Sequence, residues 1–362
     1  MSRSFFSVVI PVRDGGEGFV RCLGGLAASR CRDFELIVVD DGSRDGSAAA
    51  ARRAGAEMLS TGGDGGPAAA RNLGARRAAG EWLLFLDADC EVAPGTLGRM
   101  RDALEASPGL AAAFGSYDDA PAAPGLVSRY RNLLHHWVHQ RGAGEVTSFW
   151  AGCGAVRRET FLAAGGFDAA RYPRPSIEDV ELGRRLAASG HRIALLPAVQ
   201  VTHHKRWSFR EMVRVDVRDR AVPWVELARE RGGLGGELNV DLVGRASGVA
   251  AVSLAAALAA LHFAPRPAVG VAGAAASFLI AAHAGFYRLL LRRGGVRLLA
   301  AGIPLHWLHF LYSSGAYAWA TLRPAARGSR GAAARGRAAA TPSCAGSPGP
   351  PPARPSLEGE RT

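Results

Sequence analysis

Asp87-Ala88-Asp89 stands where chemistry is easiest to place. The run Trp82-Leu83-Leu84-Phe85-Leu86 reads as a strand buried on both faces, and it stops at two carboxylates one residue apart. A strand of that kind carries charge only where the charge has a partner. Acids at the carboxyl end of a strand in an α/β pattern occupy the edge where open sheets take their ligands. Hard oxygen ligands suit Mg²⁺ or Mn²⁺, and such a cation suits a diphosphate. The expectation is a metal–nucleotide site.

Further patches carry candidate groups. Ser7 to Asp14 is a strand ending in a proline-marked turn, and Val38-Val39-Asp40-Asp41-Gly42-Ser43 is a strand ending in two acids and a Gly-Ser turn. Acids there can accept from a base N–H or a ribose hydroxyl, although Asp, Gly and Ser also make ordinary turns and N-caps. Arg71, on a helix opened by Pro67, could reach a phosphate or the base, or be simply solvated. The stretch Trp150-Ala151-Gly152-Cys153-Gly154 precedes Gly165-Gly166-Phe167-Asp168 and Ser176-Ile177-Glu178-Asp179-Val180-Glu181-Leu182. Ser176 with Asp179 three residues on also matches a capping box, and Glu178 and Asp179, adjacent on a helix, point apart.

These groups need a layered scaffold. Strands are expected at 6–12, 34–39, 56–59 and 82–86, with helices at 17–29, 45–54 and 67–80 between them, an alternating β-α-β-α-β-α-β pattern. The ordered set S-V-V-I-P-V, V-D-D-G-S-x-D-G, A-R-N-L-G, D-A-D, G-G-F-D and E-D-V-E-L-G-x-R-L resembles the family 2 glycosyltransferases over residues 5–210. The resemblance implies an α/β GT-A nucleotide-diphospho-sugar transferase fold, a Rossmann-like mixed sheet with helices on both faces. It also implies inverting transfer of a sugar from a UDP- or GDP-linked donor to an acceptor hydroxyl.

By that resemblance Pro11, Val12, Asp14, Asp40, Asp41, Arg71, Asp87 and Ala88 are the nucleotide-sugar candidates. Asp89, Asp87 and His203 are the Mg²⁺ or Mn²⁺ candidates, with His204 the rival of His203. Asp179 is the candidate base, and Trp150, Gly152 and Glu178 lie on the acceptor side. The chain has Asp-Ala-Asp-Cys-Glu where the polyprenyl-phosphate mannose synthase branch has D-A-D-L-Q. Lys205-Arg206-Trp207 lacks the Gln of the processive QxxRW motif. Neither branch is therefore implied. A nucleotidyltransferase is disfavoured by the absence of a Gly-rich N-terminal loop with a Lys, and a non-catalytic scaffold by the intact acids.

Bulk composition fits this organisation. The 362 residues are 48% hydrophobic and 21% charged, with a formal net charge of +12. No nucleic-acid-binding motif accompanies that charge, which points to an anionic membrane surface. Five cysteines without a CxxC pair suit a reducing compartment. The N-terminus has no signal-peptide h-region.

Residues 1–204 are expected to form the catalytic domain, and 205–240 a basic segment in which Phe209, Met212, Val213 and Val217 fall at helical spacing. Residues 241–322 form a membrane region and 323–362 a disordered tail. The stretches 246–263, 268–287 and 298–322 lack charged residues, and each is near the ~18–20 residues a bilayer requires. Two to three spans are expected, the second extending to about 291. The cluster Arg288, Arg292, Arg293 and Arg297 predicts a cytoplasmic catalytic domain on a multi-pass inner-membrane protein. The third stretch, holding Pro304, His306 and His309, either spans or re-enters. The acceptor is then lipid-linked or a glycan of the cell envelope.

Overall fold

The structure is a computed structural model that describes residues 3–230 and 242–322. The elements run β1 (Phe6–Val12), α1 (Gly16–Ala27), β2 (Phe34–Asp40), α2 (Ser47–Arg53), β3 (Glu57–Ser60), α3 (Gly66–Arg77), β4 (Trp82–Leu86) and β5 (Cys90–Val92). They continue through α4 (Thr96–Ala106), β6 (Leu110–Tyr117), α5 (Leu126–Arg141), β7 (Gly144–Val146), β8 (Cys153–Arg157), α6 (Arg158–Ala163), α7 (Glu178–Ala188) and β9 (Arg192–His203). After β9 come α8 (Phe209–Arg214), a π-helix (Val215–Ala221), α9 (Val222–Glu230), α10 (Leu242–Ala260), α11 (Pro265–Ala282) and α12 (Ala284–Leu322).

The sheet has the order β3-β2-β1-β4-β8-β6-β9-β5, with β7 on β9. The first four strands in that order are parallel, β8 runs antiparallel to β4, and β5 antiparallel to β9. Side chains alternate between two cores, as the period of two requires. Val8, Ile10, Leu84 and Leu86 face one, whereas Val9, Leu83 and Phe85 face the other. Every residue of β4 is buried, so the carboxylates that follow it mark the first place where that strand meets water.

Two glycines set the approach of loops and helices to the site. Gly66 sits at φ +73°, and a Cβ there would meet the Pro173 carbonyl oxygen at 2.2 Å. Gly183 lets α7 press on the backbone before Trp150, since a Cβ would lie 2.2 Å from the Phe149 nitrogen.

Residues to Thr321 form one compact unit, because α12 packs Phe286, Tyr287, Leu289, Leu290 and Leu298 against Tyr130 and Leu133 of α5 and Met212 of α8. This docking also corrects the span expected at 268–291. α11 starts at Pro265, the favoured first position of a helix, and ends at Ala282. The residues after His283 turn their apolar face onto α5. The turn between α10 and α11 falls at 261–264.

Among the described residues, α10 and α11 are the helices long and apolar enough to cross a membrane, with 28% and 17% of their apolar windows buried. The third expected stretch lies in α12, which is kinked at Gly295 and contains Pro304. In the basic segment Met212 is buried and Phe209 is half exposed. Asp216, which interrupts the apolar stripe in sequence, is 5% exposed and forms an internal ion pair. The tail at 323–362 and the end of the basic segment at 231–240 fall outside the described residues.

Candidate active site

A cavity of about 1950 Å³ opens at the carboxyl ends of β1, β2 and β4 and continues to α10 and α12. Pro11, Val12, Asp14, Asp41, Arg71, Asp87, Ala88, Asp89, Trp150, Glu178, Asp179 and His203 all line it. Asp40 and Gly152 do not: the Asp40 carboxylate accepts from the Ser43 N–H at 3.0 Å, the turn role that its type also allows. The Gly152 carbonyl accepts from the Asp87 N–H at 3.1 Å, so its part is to fix the backbone under the acids.

The β2 and β1 turns are tightly tied. Asp41, 5% exposed, accepts from the Thr61 hydroxyl, from the Gly65 N–H at 2.8 Å and from the Gly66 N–H at 3.0 Å. It thereby clamps the loop that leads into α3. Asp14, at φ +51°, accepts from the Arg44 N–H at 2.7 Å.

Arg71 is a buried bridge and not a solvated helical arginine. Its guanidinium donates to Asp87 Oδ1 at 2.6 Å and to Glu178 Oε1 at 2.9 Å. The second Glu178 oxygen accepts from the Ser176 N–H at 2.9 Å. Glu178 and Asp179 diverge, as adjacent helical residues must, yet both stand on the cavity wall. No capping box forms: the Ser176 hydroxyl donates to the Asp219 carbonyl at 2.6 Å, and Ile177 is the N-cap.

Asp179 accepts from the Ala151 N–H at 3.1 Å and the Val180 N–H at 2.8 Å. Burial, helped by the neighbouring Glu178 carboxylate, still pushes its carboxyl up to about 6. That is a suitable value for a group that takes a proton near neutrality.

The acids after β4 gather ligand atoms. Oxygens of Asp87 and Asp89 and the Cys90 sulfur lie within 4.8 Å of one another. Burial pushes the Cys90 thiol well up, so it stays protonated and is a poor ligand. His203 Nε2 lies 3.5 Å from Asp89 Oδ2, and its ring stacks on Tyr117 with centroids 4.2 Å apart. Burial opposes ionisation of Asp89, but His203 and Lys205 prevail and hold its carboxyl below the usual value. His204 turns instead to Glu91, at 2.7 Å. Two carboxylates and one imidazole fit a hard divalent ion, with Asp87 giving up one oxygen to Arg71.

Several wall residues had no signal in the motifs. α5 contributes Arg131, His135 and His139, and the segment after β9 contributes Asp216, Arg220 and Trp224. For Arg220 a clue existed, its spacing of four from Asp216 inside an otherwise apolar stripe, but a charge there reads equally as a solvated face.

A mixed sheet of this order with acids closing a central strand defines a GT-A glycosyltransferase fold. Residues 7–163 match the family model described as Glycosyl transferase family 2, so the chain carries a glycosyltransferase domain of that family. It is similar to N-acetylglucosaminyl-diphospho-decaprenol L-rhamnosyltransferase of Mycobacterium tuberculosis, 28% identical over 56% of this chain and 76% of that one. It is also similar to glycosyltransferase AglE of Haloferax volcanii, 37% identical over 24% of this chain and 31% of that one. The pre-mycofactocin glycosyltransferase of M. tuberculosis is 30% identical over 57% of this chain and 44% of its own. The chain thus spans less than half the length of the last two. Among solved structures, a mannosyltransferase of Pyrobaculum calidifontis in complex with GDP-Man and Mn²⁺ superposes with a TM-score of 0.54 at 21% identity, over 88% of each chain. At that identity the likeness is one of fold.

Proposed function

We propose that the protein is a metal-dependent, inverting transferase that moves a sugar from a nucleoside-diphosphate sugar to a hydroxyl of a lipid-linked acceptor at a membrane surface. The observation that carries this reading is the convergence of Asp87, Asp89, His203 and Asp179 on one cavity that runs on to the apolar helices α10 and α12.

In this reading Pro11, Val12 and the Asp14 and Asp41 turns form the nucleoside end. Arg71, locked between Asp87 and Glu178, positions the acids. Asp87, Asp89 and His203 hold a Mg²⁺ or Mn²⁺ ion, which when bound neutralises the charge that builds on the leaving diphosphate. Asp179 takes the proton of the attacking hydroxyl, help worth about 10²–10⁴ in rate. Attack from the face opposite the leaving group inverts the anomeric centre. Trp150 flanks the acceptor side of the cavity.

Membrane attachment is supported by α10 and α11, whose apolar side chains point mostly outward. On that reading the Arg cluster at 288–297 keeps the catalytic domain in the cytoplasm. The domain boundary at 204 then separates sequence signatures, not independently folding parts.

The test is nucleoside diphosphate release from a panel of UDP- and GDP-linked sugars by membranes containing the protein, with product anomers identified by NMR. Dependence on manganese or magnesium, with loss in Asp89→Ala and Asp179→Asn, is the expected result. Normal turnover by both variants would defeat the site assignment.

A further inference from the structure

Between the acids and the apolar helices, the cavity wall is crossed by a π-helix, a rare winding that recurs at functional sites. It brings two charged side chains to the wall, Asp216 and Arg220. Asp216 is fully engaged. Arg131 of α5 holds it through two nitrogens, at 2.6 and 2.5 Å, the Tyr312 hydroxyl donates to it, and His309 Nδ1 lies at 3.7 Å.

Arg220 is in the opposite condition. Its side chain is exposed to the cavity, and among the described residues it has no hydrogen bond or ion pair. Several other cations on the cavity wall are occupied. Arg71 is held by Asp87 and Glu178, Arg131 by Asp216, Lys205 by Glu211 at 3.8 Å, and Arg229 by the carbonyls of Ala320 and Thr321. Arg220 lines the same cavity as the candidate base Asp179 and as Tyr117. Beyond it the wall becomes apolar, with Val243, Val249 and Val252 of α10 and Phe310 of α12.

A guanidinium with no hydrogen-bond or ion-pair partner among the described residues is a fork shaped for phosphate oxygens. We propose that Arg220 is the cation of an acceptor subsite, and that the acceptor is a sugar hydroxyl carried on a lipid-linked phosphate or diphosphate whose chain lies along α10 and α12. The inference rests on the transferase reading above and extends it to the acceptor's charge. The fixed Arg131–Asp216 pair has a positioning part: it anchors the π-helix, leaving Arg220 to turn toward the ligand. Such a subsite would present the acceptor hydroxyl to Asp179 only when the anionic head is seated.

The full chain in nanodiscs, wild type, Arg220→Gln and Arg220→Lys, is titrated with farnesyl diphosphate, farnesol and inorganic pyrophosphate, with tryptophan fluorescence as the readout. Trp150 and Trp224 both line the cavity. Farnesyl diphosphate is expected to bind the wild type at least about tenfold more tightly than either farnesol or pyrophosphate, one charge-assisted contact being worth roughly that much. Arg220→Gln loses that preference over farnesol, and Arg220→Lys retains part of it, which a merely structural arginine would not produce. Unchanged farnesyl diphosphate affinity in Arg220→Gln overturns the subsite. Equal affinity of the wild type for pyrophosphate and farnesyl diphosphate overturns the place given to the lipid chain. Weakened GDP or UDP binding in Arg220→Gln, with farnesyl diphosphate binding intact, overturns it by assigning the residue to the donor. Manganese-dependent binding of GDP or UDP by the wild type is read separately and tests only the transferase reading.

Discussion

The sheet and the C-terminal helices use similar apolar residues to opposite ends. In β1 and β4 the valines, leucines and phenylalanines are buried, and the sheet satisfies its own backbone. In α10 and α11 Val249 is 68% exposed, Val269 62% and Leu258 54%. A soluble core helix would hide such side chains, because each costs roughly 25 cal/mol for every Å² left in water. The first region is completed by its own layers. The second is complete only against another apolar phase, which is the physical ground for the proposed membrane attachment. Where the two meet, at α5, the π-helix and α12, the contact is both apolar and ionic.

The largest effects belong to the first region. Asp179→Asn is expected to lower turnover by about 10²–10⁴, read as nucleoside diphosphate release. Its effect on stability has the other sign. A carboxyl raised to about 6 in the folded protein, against 3.8 as its ordinary value, binds more protons folded than unfolded between those values. Stability from this group is therefore present at low pH and is lost as pH rises through about 6. Asn, uncharged and still able to accept from the Ala151 N–H, should raise the melting temperature at neutral pH while removing activity. A lower melting temperature would contradict the burial account of Asp179.

Next in size is the junction. Asp216→Ala strips a buried Arg131 of its partner, a change that typically costs on the order of 3–5 kcal/mol. A drop in melting temperature, greater than that of the double variant Asp216→Ala with Arg131→Met, would show that the lone charge is what destabilises. Equal drops would mean that the pair matters for its shape alone.

How much of this was legible in the chain differs between the same two regions. The sheet elements follow from alternation and from proline and glycine punctuation, because a strand buried on both faces leaves an unmistakable apolar run. Asp87 and Asp89 stand out as candidates because a buried strand ends at them, whereas Asp179 and His203 are candidates through the family resemblance. The spans and the cavity wall were harder. An apolar stretch such as 268–291 does not record where a helix stops, and its division at His283 comes from docking onto α5. Asp40 and Asp41 are indistinguishable by type. Only the fold gives one the Ser43 turn and the other the loop before α3. Arg131, Asp216 and Arg220 are distant or ambiguous in sequence, and tertiary contact alone gives them meaning.

A smaller effect sharpens the comparison on pH. With Asp179 as base, kcat should fall as pH drops through about 6, with no matching loss of nucleotide affinity. A flat profile from pH 5 to 8 would count against the assignment. Smallest for catalysis is Val271→Asp on α11, a position 48% exposed. An aspartate near the centre of a membrane helix costs about 2.5–3.5 kcal/mol. Recovery in the carbonate-resistant membrane fraction should fall while binding of GDP or UDP with manganese is retained. Unaltered fractionation would remove α11 from the bilayer.

The most direct measurement is a crystal structure grown with manganese and either UDP or GDP, with data collected at the manganese edge. The expected result is an anomalous peak bounded by Asp87, Asp89 and His203, with the diphosphate against it and the nucleoside toward Pro11 and Val12. A bound nucleotide with no metal at those acids, or a metal held elsewhere, would contradict the assignment of this strand end as the centre of the chemistry.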